Sequence, residues 1–199
     1  MASGHDSSTR ERLLDAADVL MHERGYEAVG VAELCSAANA KKGSFYFFFD
    51  SKQALALEML ERSWHRTRTQ IFEPAFGDPT LDAVQAIDRY GHLLADNLER
   101  LRERNDVVAG CRFGNFAIEM APRDDTIRAA VSSILDEMVD LVAESIERSA
   151  VGAGGDDSGA RATAAAVIAQ MEGLMVLAKA RRDPSLLRGL GAVAGRLLH

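Results

Sequence analysis

Five consecutive aromatic residues at positions 45–49 constrain the fold of this chain more than any other stretch. The lysines Lys41 and Lys42 precede them, and Lys52 closes the segment. A solvated surface does not carry so many aromatic side chains, and an ordinary core does not carry so many lysines. We therefore expect the segment to face a core on one side and an anionic partner on the other. The alternative is a buried aromatic turn with the lysines at its solvated rim.

The rest of the chain has the pattern of helices. Strand-like alternation is missing, and the four prolines stand between periodic segments, at positions 74, 79, 122 and 184. The first helix is predicted to follow a run of cap residues at positions 7–9 and to stop at Gly25. Gly30 is the predicted N-cap of the second. The second, third and fourth helices are predicted over residues 31–38, 41–48 and 52–72.

Two short helices joined by a tight turn, behind a supporting helix, form a helix-turn-helix unit. Asn39 suits the left-handed backbone that such a turn needs. Gly43 removes a side chain where the backbone comes close to phosphate, and Lys52 stands at a helix N-terminus, which favours an anion. Phe45, Phe48 and Phe49 fasten the very short third helix to the core. The predicted DNA-binding residues are Lys41, Lys42, Gly43, Ser44, Phe45, Tyr46 and Lys52.

The carboxyl-terminal half predicts long amphipathic helices with apolar stripes over residues 81–101 and 127–146. A flexible loop is predicted at 152–159. Residues 160–180 are apolar nearly all round, so protein is expected on two sides of that helix. With the final stripe at 186–197, this pattern suits a four-helix dimer seam. A dimer places two recognition helices about 34–36 Å apart, which predicts a palindromic double-stranded operator.

The net charge of −7 would by itself argue against binding to nucleic acid, but the charge is unevenly distributed along the chain. Residues 1–70 hold 9 basic and 10 acidic side chains, whereas residues 71–199 hold 14 and 20. An acidic body thus accompanies a nearly neutral amino-terminal part with a local basic face. No apolar run approaches the roughly 18 residues of a membrane span, and no secretory leader is recognisable. Two cysteines without a CxxC motif predict reducing cytoplasm, no metal site and no cofactor.

The stretches "RGYEAV" at residues 24–29 and "KGSFYFFFDSK" at residues 42–52 resemble the TetR family of bacterial transcriptional regulators. The resemblance covers residues 9–61 and implies that the helix over 41–47 enters the major groove. It implies that Tyr46 and Lys52 contact phosphate and that Ser44 contacts backbone or base. It also implies an all-α fold with a helix-turn-helix domain at 8–53, a connecting fourth helix, and a ligand-binding and dimerisation domain at 76–199.

The segment departs from the family pattern at three positions. Asn39 stands where glycine is usual in the turn, Phe48 where histidine is common, and Gly30 where serine or threonine usually caps the second helix. The last change weakens the cap by only a few tenths of a kcal/mol, roughly. None of the three removes a DNA contact.

Residues 109–131 and 172–187 resemble a TetR branch that answers reactive electrophiles and small unsaturated compounds. A nearby cation, Lys179 or Arg112, would make Cys111 thiolate-prone and a target for such compounds. The alternative is a buried and inert Cys111, while Cys35 is assigned to the core. Aromatic and methionine side chains at helical spacing are either pocket lining or plain packing. The candidate ligand or sensor residues are Cys111, Phe113, Phe116, Met175 and Lys179.

The function predicted is a homodimeric regulator, most simply a repressor that a small-molecule inducer releases from its operator. One rival is an all-helical thiol enzyme that uses Cys111 as nucleophile, although no histidine lies within seventeen residues of it. A second rival is an architectural DNA-binding protein without a ligand. Turnover distinguishes the first rival, and an operator affinity that no metabolite alters distinguishes the second.

Overall fold

The computed structural model describes residues 3–153 and 159–197, and within these residues it contains helices and no β-strand. The all-α prediction is confirmed. The α-helices in chain order are α1 (Ser3–Arg24), α2 (Val31–Ala37), α3 (Lys42–Phe48), α4 (Lys52–Thr67), α5 (Glu73–Phe76), α6 (Ala83–Asn105), α7 (Arg112–Met120), α8 (Asp125–Ala153), α9 (Ala160–Arg181) and α10 (Leu190–Leu197). A π-helical turn, Arg68–Phe72, follows α4, and a 3-10 helix, Pro184–Gly189, precedes α10.

The chain divides into two compact units. The first comprises Met1–His65 and Arg112–Ser132, and the second comprises Arg66–Cys111 and Ser133–His199. Compactness therefore places α7 and the start of α8 with the amino-terminal helices. The assignment of DNA binding to residues 8–53 and of ligand binding to residues 76–199 stays a prediction.

Local sequence explains where most amino-terminal helices begin and end. Gly25 ends α1 with a left-handed φ of +91°, as predicted. Gly30 is the N-cap of α2 in extended conformation, also as predicted, and contributes no side-chain cap. The Ser51 hydroxyl accepts a hydrogen bond from the amide of Ala54 (3.0 Å) at the start of α4. The predicted start of α1, after residues 7–9, is wrong. The helix begins earlier, at Ser3. The caps predicted at positions 7 and 8 lie outside the described side chains.

The core of the first unit joins the apolar faces of α1 and α4. Phe116 of α7 and Ile127 of α8 are buried in the same unit. Ion pairs lie along the outside of the α1–α4 pair, among them Arg10 with Glu58 at 2.5 Å. The buried residues that α1 and α4 contribute are Leu13, Leu14, Ala17, Met21, Leu55, Ala56, Met59 and Leu60.

The helical run after Lys52 does not stop at Pro74, contrary to the sequence prediction. The π-helical turn Arg68–Phe72 leads directly into α5, where Pro74 stands in the first turn. Pro74 has no N–H to donate to the preceding turn, but the amide of Glu73 still donates to the carbonyl of Arg68 in the π-helical pattern. The helical path therefore continues to Phe76.

The second unit is built around α6. Asp82 and Gln85 close its amino end as a capping box, with hydrogen bonds of 2.9 and 3.0 Å. Tyr90 is buried between two phenylalanines of the π-helical turn and α5, with ring centroids 4.9 Å from Phe72 and 5.2 Å from Phe76. Gly91 lets α6 approach the backbone after α9, since a Cβ there would clash with the carbonyl oxygen of Leu187.

The predicted stripe of α8 is buried almost throughout, and the helix continues to Ala153. Of the loop predicted at 152–159, residues 154–158 lie outside the described residues. Helix α9 buries one face and leaves a second apolar face exposed. Its length and composition would allow it to cross a membrane, with a mean hydropathy of 1.3 and 33% of that window buried. The expectation concerned an uninterrupted apolar run, which Gln170 and Glu172 break in this helix. Its length and composition are weak evidence for a membrane span, because core helices of soluble proteins share them.

Candidate nucleic-acid interface and a polar cluster in the second unit

The turn between α2 and α3 has the geometry expected of a helix-turn-helix. Asn39 adopts a left-handed φ of +48°, which confirms its predicted role. The amide of Ala40 donates to the carbonyl of Cys35 at 2.8 Å, closing the turn. Arg12 of α1 donates from Nε to the carbonyl of Ala38 at 2.8 Å and ties the turn to its supporting helix. The orientation of α3 is thus set by α1 and α2.

One face of α3 belongs to the core of the first unit. Phe45 is 0% exposed and Phe49, the residue after the helix, is 3% exposed, with their ring centroids 5.9 Å apart. Phe48 is half-buried. The prediction that phenylalanines fasten this short helix is therefore confirmed for Phe45 and Phe49. The prediction that Phe45 also contacts DNA is wrong for this conformation, because its side chain has no exposed surface.

The opposite face of α3 is open to solvent. Lys41, Lys42 and Gly43 are exposed, and Tyr46 is 51% exposed. No atom lies within 4 Å of the Cβ that an alanine at Gly43 would carry. Ser44 is half-buried at the edge of this face. The structure thus brings together on one surface five of the seven residues predicted to contact DNA.

Sequence reasoning missed Phe47, which is the most exposed aromatic residue of α3 at 73%. Its helical spacing held the signal. Residues three and four positions after Gly43 share its face, so Tyr46 and Phe47 had to lie outside once Phe45 was assigned inside. We call the surface of these residues the outer face of α3; it consists of Lys41, Lys42, Gly43, Tyr46 and Phe47.

Lys52 has partners within the protein. Its ammonium donates to the carbonyl oxygens of Tyr26 (3.1 Å) and Val29 (3.2 Å) and lies 4.0 Å from the centroid of the Tyr26 ring. Lysine carries three N–H donors, so one remains for another acceptor. Lys52 therefore holds the start of α4 against the segment between α1 and α2, a role that its predicted phosphate contact did not include.

A small polar cluster lies in the second unit around Cys111. Gly110 has a left-handed φ of +78°, and the half-buried thiol of Cys111 hydrogen-bonds the carboxyl group of Glu172 on α9. Burial raises the pKa of Glu172, and the hydrogen bond from Cys111 opposes that rise. Burial also raises the pKa of Tyr90 well above its usual value, with smaller contributions from Cys111 and Glu172.

Of the two cations predicted to lie near Cys111, Arg112 is directed elsewhere and Lys179 lies close by. Arg112 directs its guanidinium to α1, where it lies 3.2 Å from the carboxylate of Asp18 and 3.1 Å from Nδ1 of His22. The side chain of Lys179 lies next to Gly110, since a Cβ there would be 3.4 Å from Lys179 Cδ. One polar group that the thiol contacts is the carboxyl group of Glu172.

The remaining ligand candidates are packed side chains. Phe113 is 3% exposed and forms an edge-to-face pair with Trp64 at 6.0 Å, and Phe116 is 1% exposed with its centroid 6.1 Å from that of Tyr26. Both belong to the first unit. Met175 is buried in the second unit, which also contains the half-buried Cys111 and the exposed Lys179. Burial and ring contacts agree with plain packing of Phe113 and Phe116, and their predicted role in ligand binding stays a prediction.

Helix α7 is tied to the end of α1 by a carboxylate. Glu119 accepts hydrogen bonds from the backbone amides of Tyr26 and Glu27, both at 2.8 Å. These amides follow the left-handed Gly25, and Gly25 lies against the same carboxylate. Because charge-assisted hydrogen bonds are stronger than neutral ones, Glu119 stabilises the segment that leads from α1 to α2.

Two family descriptions match the chain over separate ranges. Residues 13–59 match "Bacterial regulatory proteins, tetR family". Residues 83–193, more than half of the chain, match "Transcriptional regulator LmrA/YxaF-like, C-terminal domain". The first range contains the helix-turn-helix with its outer face, and the second contains the polar cluster and α9.

Relatives and solved structures agree with this assignment. The chain is 27% identical over 130 residues to the HTH-type transcriptional repressor DhaR of Mycobacterium sp. GP1, an alignment that covers 65% of this chain and 61% of DhaR. It is 28% identical over 148 residues to the HTH-type transcriptional repressor NemR of Escherichia coli K12, covering 72% and 68%. The crystal structure of a regulatory protein TetR from Rhodobacter sphaeroides superposes with a TM-score of 0.80 at 28% identity, covering 94% of this chain and 97% of that one.

Proposed function

Because the chain belongs to the TetR family of bacterial regulatory proteins, we propose that it is a repressor that a small molecule releases from its operator. Members of this family are DNA-binding transcriptional regulators and not enzymes, so the rival reading as a thiol enzyme has no support. Regulators of this family bind operator DNA and take small-molecule ligands in the carboxyl-terminal domain. For this chain we propose the specific DNA and inducer contacts, a homodimer, and a cytoplasmic location.

The outer face of α3 is the observation that carries the DNA-binding part of the proposal. Lys41 and Lys42 supply exposed positive charge, and Tyr46 supplies an exposed hydroxyl group. Ammonium and hydroxyl groups are common ligands of DNA phosphates. At Gly43 the open space allows a close approach of the backbone to the duplex. Lys52 contributes its third donor, and Ser44 contacts DNA at the edge.

Helix α9 supports a homodimer that binds a palindromic operator. In the single chain its exposed face is a continuous apolar stripe, and Val176 and Leu177 are 58% and 42% exposed. Small residues in such a stripe let another helix approach closely, and a twofold dimer needs a self-complementary patch. The stripe consists of Ala162, Ala165, Ala166, Ala169, Gly173, Val176, Leu177 and Ala180. A second copy that covers it would present two recognition helices to successive major grooves.

The polar cluster supports a ligand site in the carboxyl-terminal domain. Cys111, Glu172 and Tyr90 are neighbouring polar groups in a largely apolar unit. Resemblance to the electrophile-responsive branch favours Cys111 as the reacting group, with Lys179 and Met175 beside it. To empty an almost full operator, the ligand must bind the released conformation about 10⁴-fold more tightly than the DNA-bound one. This corresponds to a difference in binding free energy of about 5.5 kcal/mol.

Selection of duplexes from a random pool by the purified protein tests the proposal. The expected product is an inverted repeat whose half-sites are about 10–10.5 base pairs apart, or a multiple of that spacing. Enrichment of a single unrepeated motif would refute the dimeric part. Failure to retain any duplex at about 50 mM salt, where phosphate contacts are strong, would refute DNA binding itself.

Release by an electrophile is tested on the recovered duplex with Cys111→Ser. The variant is expected to bind DNA as the wild type does and to stay bound after treatment with a small unsaturated aldehyde. Cys35→Ser serves as the control, since Cys35 is 5% exposed and burial raises its pKa, which makes it a poor nucleophile. Release of Cys111→Ser by the aldehyde would show that Cys111 is not the sensor.

A further inference from the structure

Phe47 has an unusual position for an apolar side chain. It is 73% exposed at the centre of the outer face, although α3 has a buried side occupied by Phe45 and Phe49. Its ring meets the half-buried Phe48 edge to face, with centroids 4.9 Å apart and planes at 83°. That contact supports the ring from one side and leaves the rest of it to solvent. The fold therefore does not need this ring in its core.

The surface beside Phe47 is shaped for close approach. Gly43 stands one helical turn earlier on the same face, with nothing within 4 Å of a Cβ built there. Gly43 is the second residue of α3, and no neighbouring atom requires a glycine at this position. A flat strip thus runs from the bare backbone of Gly43 to the ring of Phe47.

The charges around this strip identify its occupant as DNA. Lys41 and Lys42 flank it as exposed cations, and the ammonium of Lys42 lies 6.0 Å from the centroid of the Tyr46 ring. A phenyl ring has no hydrogen-bonding group, so it cannot bind phosphate. In the major groove the apolar feature that base edges offer is the C5-methyl group of thymine.

We propose that Phe47 contacts thymine methyl groups in the major groove and thereby determines part of the operator sequence. This inference rests on the proposed function, because it requires α3 to enter the groove. Lys41 and Lys42 position the helix on phosphates without sequence information, whereas Phe47 selects A·T pairs at the positions that its ring reaches. A half-site is expected to contain a thymine at that position.

The test removes one methyl group at a time. Each thymine of the selected duplex is replaced singly by deoxyuridine, which keeps the base-pairing groups and lacks the methyl. Dissociation constants of the wild type and of Phe47→Ala are measured by fluorescence anisotropy at one salt concentration. At one or more positions per half-site, deoxyuridine is expected to weaken wild-type binding about fourfold. This factor corresponds to the free energy gained by burying one methyl group. Phe47→Ala should be insensitive to the same replacement.

Ile118→Ala is the matched control, since Ile118 is an apolar residue of α7 with 76% exposure. It should keep the deoxyuridine profile of the wild type. Equal deoxyuridine effects in the wild type and in Phe47→Ala at every thymine would overturn the inference. So would a change in the oligomeric state of Phe47→Ala, because the ring would then be a protein contact.

The salt dependence separates this inference from the proposed function. Phe47→Ala should leave the slope of log affinity against log salt unchanged, because no phosphate contact is lost. If the wild type prefers no duplex over a scrambled one, the proposed function fails and the inference fails with it. If the wild type selects an operator and only the deoxyuridine coupling is missing, the role of Phe47 alone is rejected.

Discussion

At the scale of single residues, Lys41 and Lys52 are both lysines of the predicted DNA surface, yet only one is engaged by the protein. Lys41 is exposed, whereas Lys52 donates to two backbone carbonyls between α1 and α2. A substitution at Lys52 therefore acts on folding as well as on binding. The same substitution at Lys41 acts on binding alone.

We expect Lys52→Ala to lower the free energy of unfolding by about 1–3 kcal/mol, because two hydrogen bonds from a charged donor to backbone carbonyls are lost. Lys41→Ala should change that free energy by less than about 0.5 kcal/mol and reduce the salt slope of DNA binding by about one unit. Urea unfolding and anisotropy titrations at several salt concentrations measure these effects. A fully stable Lys52→Ala would contradict the role assigned to its two carbonyl contacts.

Glu172 makes the stability of the protein depend on pH. Its pKa is raised by burial above the ordinary value of 4.5, so the folded state holds this proton more tightly than the unfolded state does. The resulting stabilisation is fully present below pH 4.5 and is lost as pH rises through the folded-state pKa. Glu172→Gln should remove this loss, so that the variant gains stability relative to the wild type as pH rises towards neutrality.

Unfolding in urea at a series of pH values measures the difference between Glu172→Gln and the wild type. Glu61→Gln is the control, because it makes the same chemical change at an exposed position of α4. A Glu172→Gln curve parallel to that of the wild type would mean that the carboxyl group is not buried in solution.

Residue types alone predicted several backbone features and none of the long-range contacts. Gly25, Gly30 and Asn39 were correctly placed, because their conformational preferences are local. The contacts of Lys52 involve residues far earlier in the chain, which no local pattern encodes. The aromatic run was correctly predicted to contact a core on one side, but which face of α3 carries each ring depends on where the helix begins. The predicted set of DNA-binding residues therefore included the buried Phe45 and omitted the exposed Phe47.

At the scale of elements, α7 is where sequence reasoning was least informative. Its residues were considered as part of a ligand domain, and the structure packs them with α1 and α4. Arg112 pairs with Asp18, and Glu119 accepts from the amides that follow Gly25. Contacts between segments some ninety residues apart leave no periodic signal, so the destination of a short helix is not readable from its own sequence.

Glu119→Gln tests the contact between α7 and the end of α1. The substitution replaces one acceptor oxygen by an NH₂ group that faces a backbone N–H, and it removes the charge. We expect the free energy of unfolding to fall by about 1.5–3 kcal/mol. Glu61→Gln, the same chemical change at an exposed site, should stay within about 0.5 kcal/mol of the wild type. Equal stability of the two variants would show that the Glu119 hydrogen bonds contribute little in solution.

At the scale of the whole molecule, α9 combines a confirmed expectation with an untested one. The sequence predicted a helix that is apolar all round, and the structure shows one buried face and one exposed apolar stripe. What covers the stripe was not readable from composition, because membrane helices and helix–helix seams both use small apolar residues. We propose a second copy of the chain as its partner.

Val176→Glu tests this proposal by placing a charge within the stripe. The variant is expected to sediment as a monomer and to bind the selected operator at least about tenfold more weakly, because one recognition helix contacts only half of the site. Its helical circular dichroism should be unchanged, since Val176 is 58% exposed in the single chain. Ile118→Glu, at an exposed apolar position of α7, should remain dimeric. A dimeric Val176→Glu would place the seam elsewhere.

The edge-to-face pair of Trp64 and Phe113 has an optical consequence. The chain contains one tryptophan, so its ultraviolet emission originates from a single indole, which is 6% exposed and packed against the ring of Phe113. Any event that pulls α7 away from α4 would admit water to that indole and move the emission to longer wavelength. The protein thus carries a built-in, label-free optical probe of whether α7 remains docked.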